Sequence, residues 1–287
     1  MTAGALGGPG CRMAVSIAGL FGATPRENGG KGLRRGDLGG ILAVDRGDGR
    51  ETAMSDVRSV AFEPCLDGEP KCAVTAITPA DEAHVHTYYD LTPWSPSGRY
   101  VASLMLPYED RHPGAGDKAQ VCVIDLAEGT RRVVYETAGW GFQKGAHQQW
   151  GRTDRYLYFN DVVDDRPVGI KLDGRAGRAT RLAGPVWQVS PDETFAICPC
   201  LIRANLTQKS YGVTVRPGFE RFNTARAAAD DGLYRVDLAT GQQRLMVSLA
   251  EVWAHLEGRV GLADDGVLYA FHAKFNPRGT RILLVVR

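Results

Sequence analysis

Four histidines stand where an imidazole can do chemistry. His147 and His272 each lie three residues before an apolar anchor, Trp150 and Phe275 respectively. His84 and His86 are two apart and run into Tyr88 and Tyr89. In a strand, alternate residues share a face, so this pair would point to one side. Imidazole titrates near neutral pH, so such groups can move a proton or ligate a metal. They can also hydrogen-bond a sugar. Gln148, Gln149, Gln188 and Lys274 accompany them. The competing reading is a set of buried histidines bonded to backbone carbonyls. His112 and His255 sit in Gly/Pro-rich or polar stretches and read as surface residues.

A second group lies in a long polar stretch, residues 201–230. It carries Arg203, Asn205, Tyr211, Arg216, Phe219, Arg221 and Arg226. Insertions beyond about 12–15 residues in a compact domain are usually functional or disordered. Arginines among aromatics suit carboxylate or sugar recognition, by bidentate pairing and stacking. Arg203, Tyr211, Arg216 and Arg221 are therefore substrate-binding candidates, with His84, His86 and Gln149. The alternative is a solvated loop.

The elements that must position these residues form an imperfect repeat. WSPSGRYVAS (94–103), a second copy beginning at Trp150, VSPDETFAI (189–197) and FNPRGTRILL (275–284) share one plan. Each has an apolar residue, a tight turn and an apolar or alternating run, which is strand, hairpin, strand. A second plan follows in VCVIDLAEGTRRVV (121–134), VGIKLDGR (168–175) and LYRVDLATGQQRL (233–245). It adds a third strand, a turn and a fourth strand. Recurring four-stranded antiparallel units mean an all-β fold of the β-propeller type. Units are expected near 84–137, 147–184 and 187–250, with another begun at about 267. That makes about three and a half blades, of about seven in a complete propeller. The innermost strand of each blade lines the axis, which would turn His147 and His272 toward one channel. KCAVTAITP (71–79) reads as an outermost strand whose partners are missing.

The 287 residues are 44% hydrophobic and 23% charged, with 34 basic against 33 acidic side chains. A net charge of +1 gives no basic field for nucleic acid. The longest apolar stretch, residues 13–23, is too short to span a membrane, which takes about 20 apolar residues. Arg12 before it gives a weak export signal, which leaves a cytoplasmic or periplasmic location open. Glycine crowds the first 50 residues, so 1–62 is expected as a poorly ordered extension and 63–287 as the propeller domain. Residues 41–52 could form one hairpin. The six cysteines include no CxxC pair, and Cys198 and Cys200 read as core thiols.

Residues 71–104, from KCAVTAITP through HVHTYYD to PWSPSGRYVASL, resemble the opening of oligogalacturonate-lyase-like propellers. So does the later order of an SPDE blade with a long insert, then DGLYRVDLATGQQRL, then His272. The resemblance implies β-elimination on an acidic, uronate-containing oligosaccharide. It implies His272 as the catalytic base; His147, the second catalytic candidate, and the His84/His86 pair lie outside the family's pattern and are candidates on their position alone. Arg216 or Arg221 would hold substrate carboxylates, and His147 and His86 would ligate a divalent metal or contact sugar. The resemblance also implies that metal, manganese or calcium. Its binding histidines in the family lie in later blades, so the metal site would be incomplete here and the chain alone nearly inactive. The same turns also resemble TolB-type propellers, which implies a non-catalytic ligand- or protein-binding module instead.

Overall fold

Two turn sequences recur along the chain, and each closes the same way wherever it recurs. In the first, Ser95, Ser190 and Asn276 each precede a proline. Their backbone N–H groups donate to the carbonyls five residues on, at Tyr100 (2.8 Å), Phe195 (2.8 Å) and Arg281 (3.0 Å). Their side-chain oxygens accept the N–H of those same residues, at 3.1, 3.2 and 2.9 Å. The fourth position of the turn is left-handed, which Gly98 (φ 75°) and Gly279 (φ 67°) adopt without strain. Glu193 holds the same place at φ 58°. Its carboxylate compensates by accepting from the Arg152 N–H (2.8 Å) and the Tyr158 hydroxyl (2.9 Å) of the preceding blade. In the second turn, Asp125, Asp173 and Asp237 each accept from the N–H groups two and three residues on, at 2.8–3.2 Å.

These turns fold the chain into an all-β propeller. The computed structural model describes residues 14–16, 44–45, 51–52, 56–67, 69–220, 225–256 and 266–287. The first blade orders His84–Val85, Tyr100–Met105, Ala119–Asp125 and Thr130–Thr137 from the axis outward. The second has Gln149–Trp150, Tyr156–Val163, Arg166–Asp173 and Arg178–Arg181. The third has Gln188–Val189, Phe195–Pro199, Gly232–Asp237 and Gln243–Ser248. Ala270–Phe275 and Ile282–Val286 form a two-stranded sheet after it. All pairs are antiparallel. The described helices, Leu201–Thr207 and Leu249–Leu256, are each shorter than three turns. Ser248 and Glu251 start the second with a reciprocal cap, 2.7 Å and 3.1 Å.

The N-terminal side differs from expectation in two places. Val57–Ser59, inside the stretch expected as extension, is a fifth strand on the outer edge of the first blade, paired with residues 130–132. The strand expected to lack partners has them on both sides. Val74–Ala76 pairs with Ala14–Ser16 and with Glu63–Pro64. A row of unpaired N–H and C=O groups takes whatever strand the chain can bring to it. Val44–Asp45 and Glu51–Thr52 pair as the expected hairpin would, and residues 46–50 between them lie outside the described residues.

Central strands are buried on both faces because each blade is packed against its neighbours. Leu104, Val121, Trp140, Leu157, Phe159 and Leu172 fill the core shared by the first two blades. Trp187, Ile197 and Leu233 join Phe275 and Leu284 in the core shared by the third blade and the last sheet.

Amide side chains join the inner strands. Gln148 donates to Val85 O (3.4 Å) in the first blade. Gln149 donates to Trp187 O (3.1 Å) and accepts from Val189 N–H (2.8 Å) in the third. Asn160 both donates to Val186 O (2.8 Å) and accepts its N–H (2.7 Å). Gln188 accepts from Phe275 N–H (2.7 Å) in the last sheet. At the rim, Ser97 N–H donates to Asp154 (3.0 Å). A Cβ on Gly279 would come 3.0 Å from the Pro191 ring.

Asn160→Ala would leave two backbone groups of Val186 unpartnered in a dry interface. At about 1–3 kcal/mol for each, the loss is about 2–6 kcal/mol. A lower urea midpoint at unchanged slope measures it, and an unchanged midpoint would remove the amide link.

Candidate functional site

Two imidazoles from different sheets meet one buried indole. The His147 ring lies 4.3 Å from the Trp187 ring, centroid to centroid. His272 lies 5.6 Å from the same indole at 75°. Tyr88 stacks on His272 at 5.5 Å and 17°, and Tyr211 meets its edge at 6.5 Å and 90°. Tyr88 also contacts Tyr211 (5.9 Å) and Tyr89 (4.5 Å). Lys274 donates to the Tyr89 hydroxyl (2.8 Å) and pairs with Asp90 (3.1 Å). Asp90, Gln149 and Gln188, from three blades, line a cavity of about 310 Å³. The site is thus aromatic at its rim, with one ion pair beside His272.

His147 is held in a left-handed conformation, φ 56°, that only a few non-glycine residues adopt. It is inaccessible to solvent, and neither ring nitrogen has a partner among the described residues. Lys144, three residues earlier, is equally buried and its Nζ is equally unpartnered. The His147 N–H donates to Lys144 O (3.0 Å), closing the turn that carries both. The insert packs behind this turn, since a Cβ on Gly141 would come 2.6 Å from Ser210 O. His112, expected as a surface residue, bonds Ser210 Oγ at 2.8 Å and so pins the insert there.

Burial pushes His147 well below its ordinary value, and the charges of Lys144 and His272 add to it. Burial also lowers His272, with Lys274 and Arg287 in support and Asp90 opposing. Both imidazoles are neutral at pH 7. Burial pulls Lys144 down to about 8. Burial and the Tyr211 hydrogen bond raise Tyr88 above its ordinary value, so its phenol stays protonated.

The remaining candidates are placed elsewhere or otherwise engaged. His84 and His86 do not act as a pair. The inner strand ends at Val85, leaving His86 exposed. Both nitrogens of His84 are used, by Ser103 (3.1 Å) and Glu82 (2.9 Å). The amide of Gln149 is spent between blades. Arg203 is buried and pairs with Asp231 at 2.6 Å. Arg216 pairs with Asp165 and lies over Phe219. Arg221 lies outside the described residues. Of the insert candidates, Tyr211 reaches His272. Lys144 and Trp187 were not among the sequence candidates. A lysine inside the apolar, glycine-rich run GWGFQKGAH was the available signal. Of the two thiols read as core, Cys198 is buried and Cys200 half-buried, and both are free; Cys122 is a further buried free thiol.

The donor set does not fit a divalent metal. Among the described residues no three His, Cys, Asp or Glu side chains converge to hold one. Lys144 also sets a positive charge beside His147, which opposes a dication.

No family model and no curated protein matches the sequence. Solved structures do. The chain is similar to an oligogalacturonate lyase in complex with manganese, at 15% identity and a TM-score of 0.49, over 82% of this chain and 68% of that one. An oligogalacturonate lyase from Vibrio parahaemolyticus is similar at 14% identity and a TM-score of 0.46, over 80% and 60%. TolB from Acinetobacter baumannii is similar at 16% and 0.37, over 79% and 45%. The chain therefore spans 60% of the Vibrio enzyme and under half of TolB. What it does has to be read from its own residues.

Lys144 yields a pH prediction. Its folded value of about 8 lies below the unfolded 10.5. Between those values the unfolded chain holds the extra proton, so stability rises with pH across that window. Below pH 8 the full burial cost is present, roughly 3 kcal/mol. Lys144→Met should raise the unfolding free energy at pH 7 by up to that amount, with the gain fading toward pH 10.5. For His147 the stability is present above pH 6.5 and lost as pH falls below it, and His147→Asn should flatten that limb. Denaturant titrations across pH check both, and a destabilised Lys144→Met at pH 7 contradicts the first.

Proposed function

We propose that this chain is a carbohydrate-active propeller that cleaves uronate-containing oligosaccharides by β-elimination. The neutral imidazole of His272, set among Tyr88, Tyr89 and Tyr211, carries the reading. A uronate C5 proton is weakly acidic because it lies alpha to a carboxylate. Its removal needs a base unprotonated at neutral pH and a cation facing the developing enolate. Burial and Lys274 keep His272 unprotonated. The tyrosine rings offer apolar faces to the C–H groups of a sugar, and their hydroxyls offer hydrogen bonds. His272 takes the C5 proton, the C4–C5 double bond forms and the C4–O bond breaks. Tyr88, kept protonated, is placed to return a proton to the leaving oxygen. The substrate class is an acidic oligosaccharide. No step is assigned to a metal.

A second reading, a non-catalytic binding propeller, is favoured by one observation. Arg203 and Arg216 are committed to aspartates, so these two insert cations are not offered to a substrate.

Incubation with trigalacturonate, followed by absorbance of the unsaturated product, separates the two. His272→Ala should slow turnover by about 10²-fold or more. The acid limb of kcat/KM should fall below pH 6.5, because the folded value of His272 is depressed. Undiminished turnover in His272→Ala would refute the base. Binding of trigalacturonate without turnover would establish the second reading.

A further inference from the structure

Among the described residues four buried nitrogen atoms have no hydrogen-bond partner, and three of them belong to the two imidazoles that flank Trp187. They are Lys144 Nζ, Nδ1 and Nε2 of His147, and Nδ1 of His272. Lys144 and His147 are 0% exposed. Buried polar groups are nearly always hydrogen-bonded, and a buried amine that is not costs several kcal/mol. Among the described residues no carboxylate offsets this one. The titratable groups that bear on Lys144 and His147 are Cys198, from the third blade, and His272, from the last sheet. Cys198 is a thiol kept neutral by burial. Asp90, on the first blade, is engaged by Lys274 through Oδ2, while its buried Oδ1 has no partner among the described residues and its charge bears on His272. The backbone is strained to aim these groups, since His147 sits at φ 56° in a turn that the insert braces. Strain of this kind persists where a side chain must be held in one direction.

We propose that Lys144 and His147 form the floor of a carboxylate site. It takes the uronate carboxylate of a sugar whose ring lies against Tyr88 and Tyr211, with His272 at its edge. This deepens the lyase reading and rests on it for the substrate class. An ammonium and an imidazole N–H are donors that a carboxylate satisfies with an opposite charge, which a neutral sugar does not carry. Away from water, an ammonium–carboxylate contact is short and strong. Lys144 would then supply the cation that the enolate requires, in place of the insert arginines. Solvent reaches neither group in this arrangement, so the sugar binds as the side chains above them part.

The test compares calorimetric titrations of D-galacturonate and uncharged D-galactose at pH 7. The native chain should bind the acid at least tenfold more tightly than the neutral sugar. Lys144→Met should lose that preference while keeping the fold by circular dichroism. If that variant does not fold, Lys144→Gln, which keeps a donor and drops the charge, should show the same loss. Equal affinities in the native chain, no binding of galacturonate, or a preference retained without Lys144 would each overturn the site. Trigalacturonate turnover on the same proteins separates the two readings. Turnover with unchanged kcat/KM in Lys144→Met removes this site and leaves the lyase standing. A Lys144-dependent preference without turnover does the reverse.

Discussion

The inner strands of the first three blades are two residues long, and that constraint governs the rest. His84–Val85, Gln149–Trp150 and Gln188–Val189 offer too few ladder bonds to fix their positions. Side-chain amides supply what the ladders lack. Gln148, Gln149, Asn160 and Gln188 each bond the backbone of an adjoining blade or sheet, the first three of them as buried side chains. A buried amide left unbonded is costly, so each link has one geometry that satisfies it. That geometry sets where Trp187 stands, because Gln149 holds its carbonyl and Asn160 holds its predecessor. The indole in turn receives His147 from one side of the sequence and His272 from the other.

The parts of the fold that were legible are those with local causes. A Ser-Pro-x-Gly or Asn-Pro-x-Gly turn is specified by four residues, and so is an Asp that accepts from its own following N–H groups. Their recurrence announced the blades without knowledge of any contact. Ser248 with Glu251 is equally local, yet the strand reading of that stretch does not anticipate the helix it starts. Val57–Ser59 and the pairing of Val74–Ala76 were not legible, because strand pairing joins residues whose sequence says nothing of each other. Val57–Ser59 depends on the outer edge of a strand more than 70 residues away.

The site divides in the same way. The spacing of His147 and His272 from their apolar anchors put both near the axis, His272 on a strand and His147 in the turn just before one, and the structure brings both to one indole. The arginines looked free because their aspartates, Asp165 and Asp231, are distant or separated by the insert. The chemistry of an arginine is local, but its availability is not. Lys144 was hidden for the opposite reason. A lysine reads as surface unless its neighbours, here Trp140, Gly141, Phe142 and Gly145, leave it no water to reach.

The rim turns form a belt with a direction. Asp154 of the second blade reaches back to Ser97 of the first, and Glu193 of the third reaches back to Arg152 of the second. Beyond Glu193 the belt continues by contact alone, Gly279 against Pro191. At the rim, the spacing between the second and third blades is therefore set in part by the length of one glutamate side chain. Shortening it by a methylene, as in Glu193→Asp, would act as a lever. The rim would close slightly, the third blade would pivot about its inner strand, and the displacement would be delivered to Trp187 at the axis.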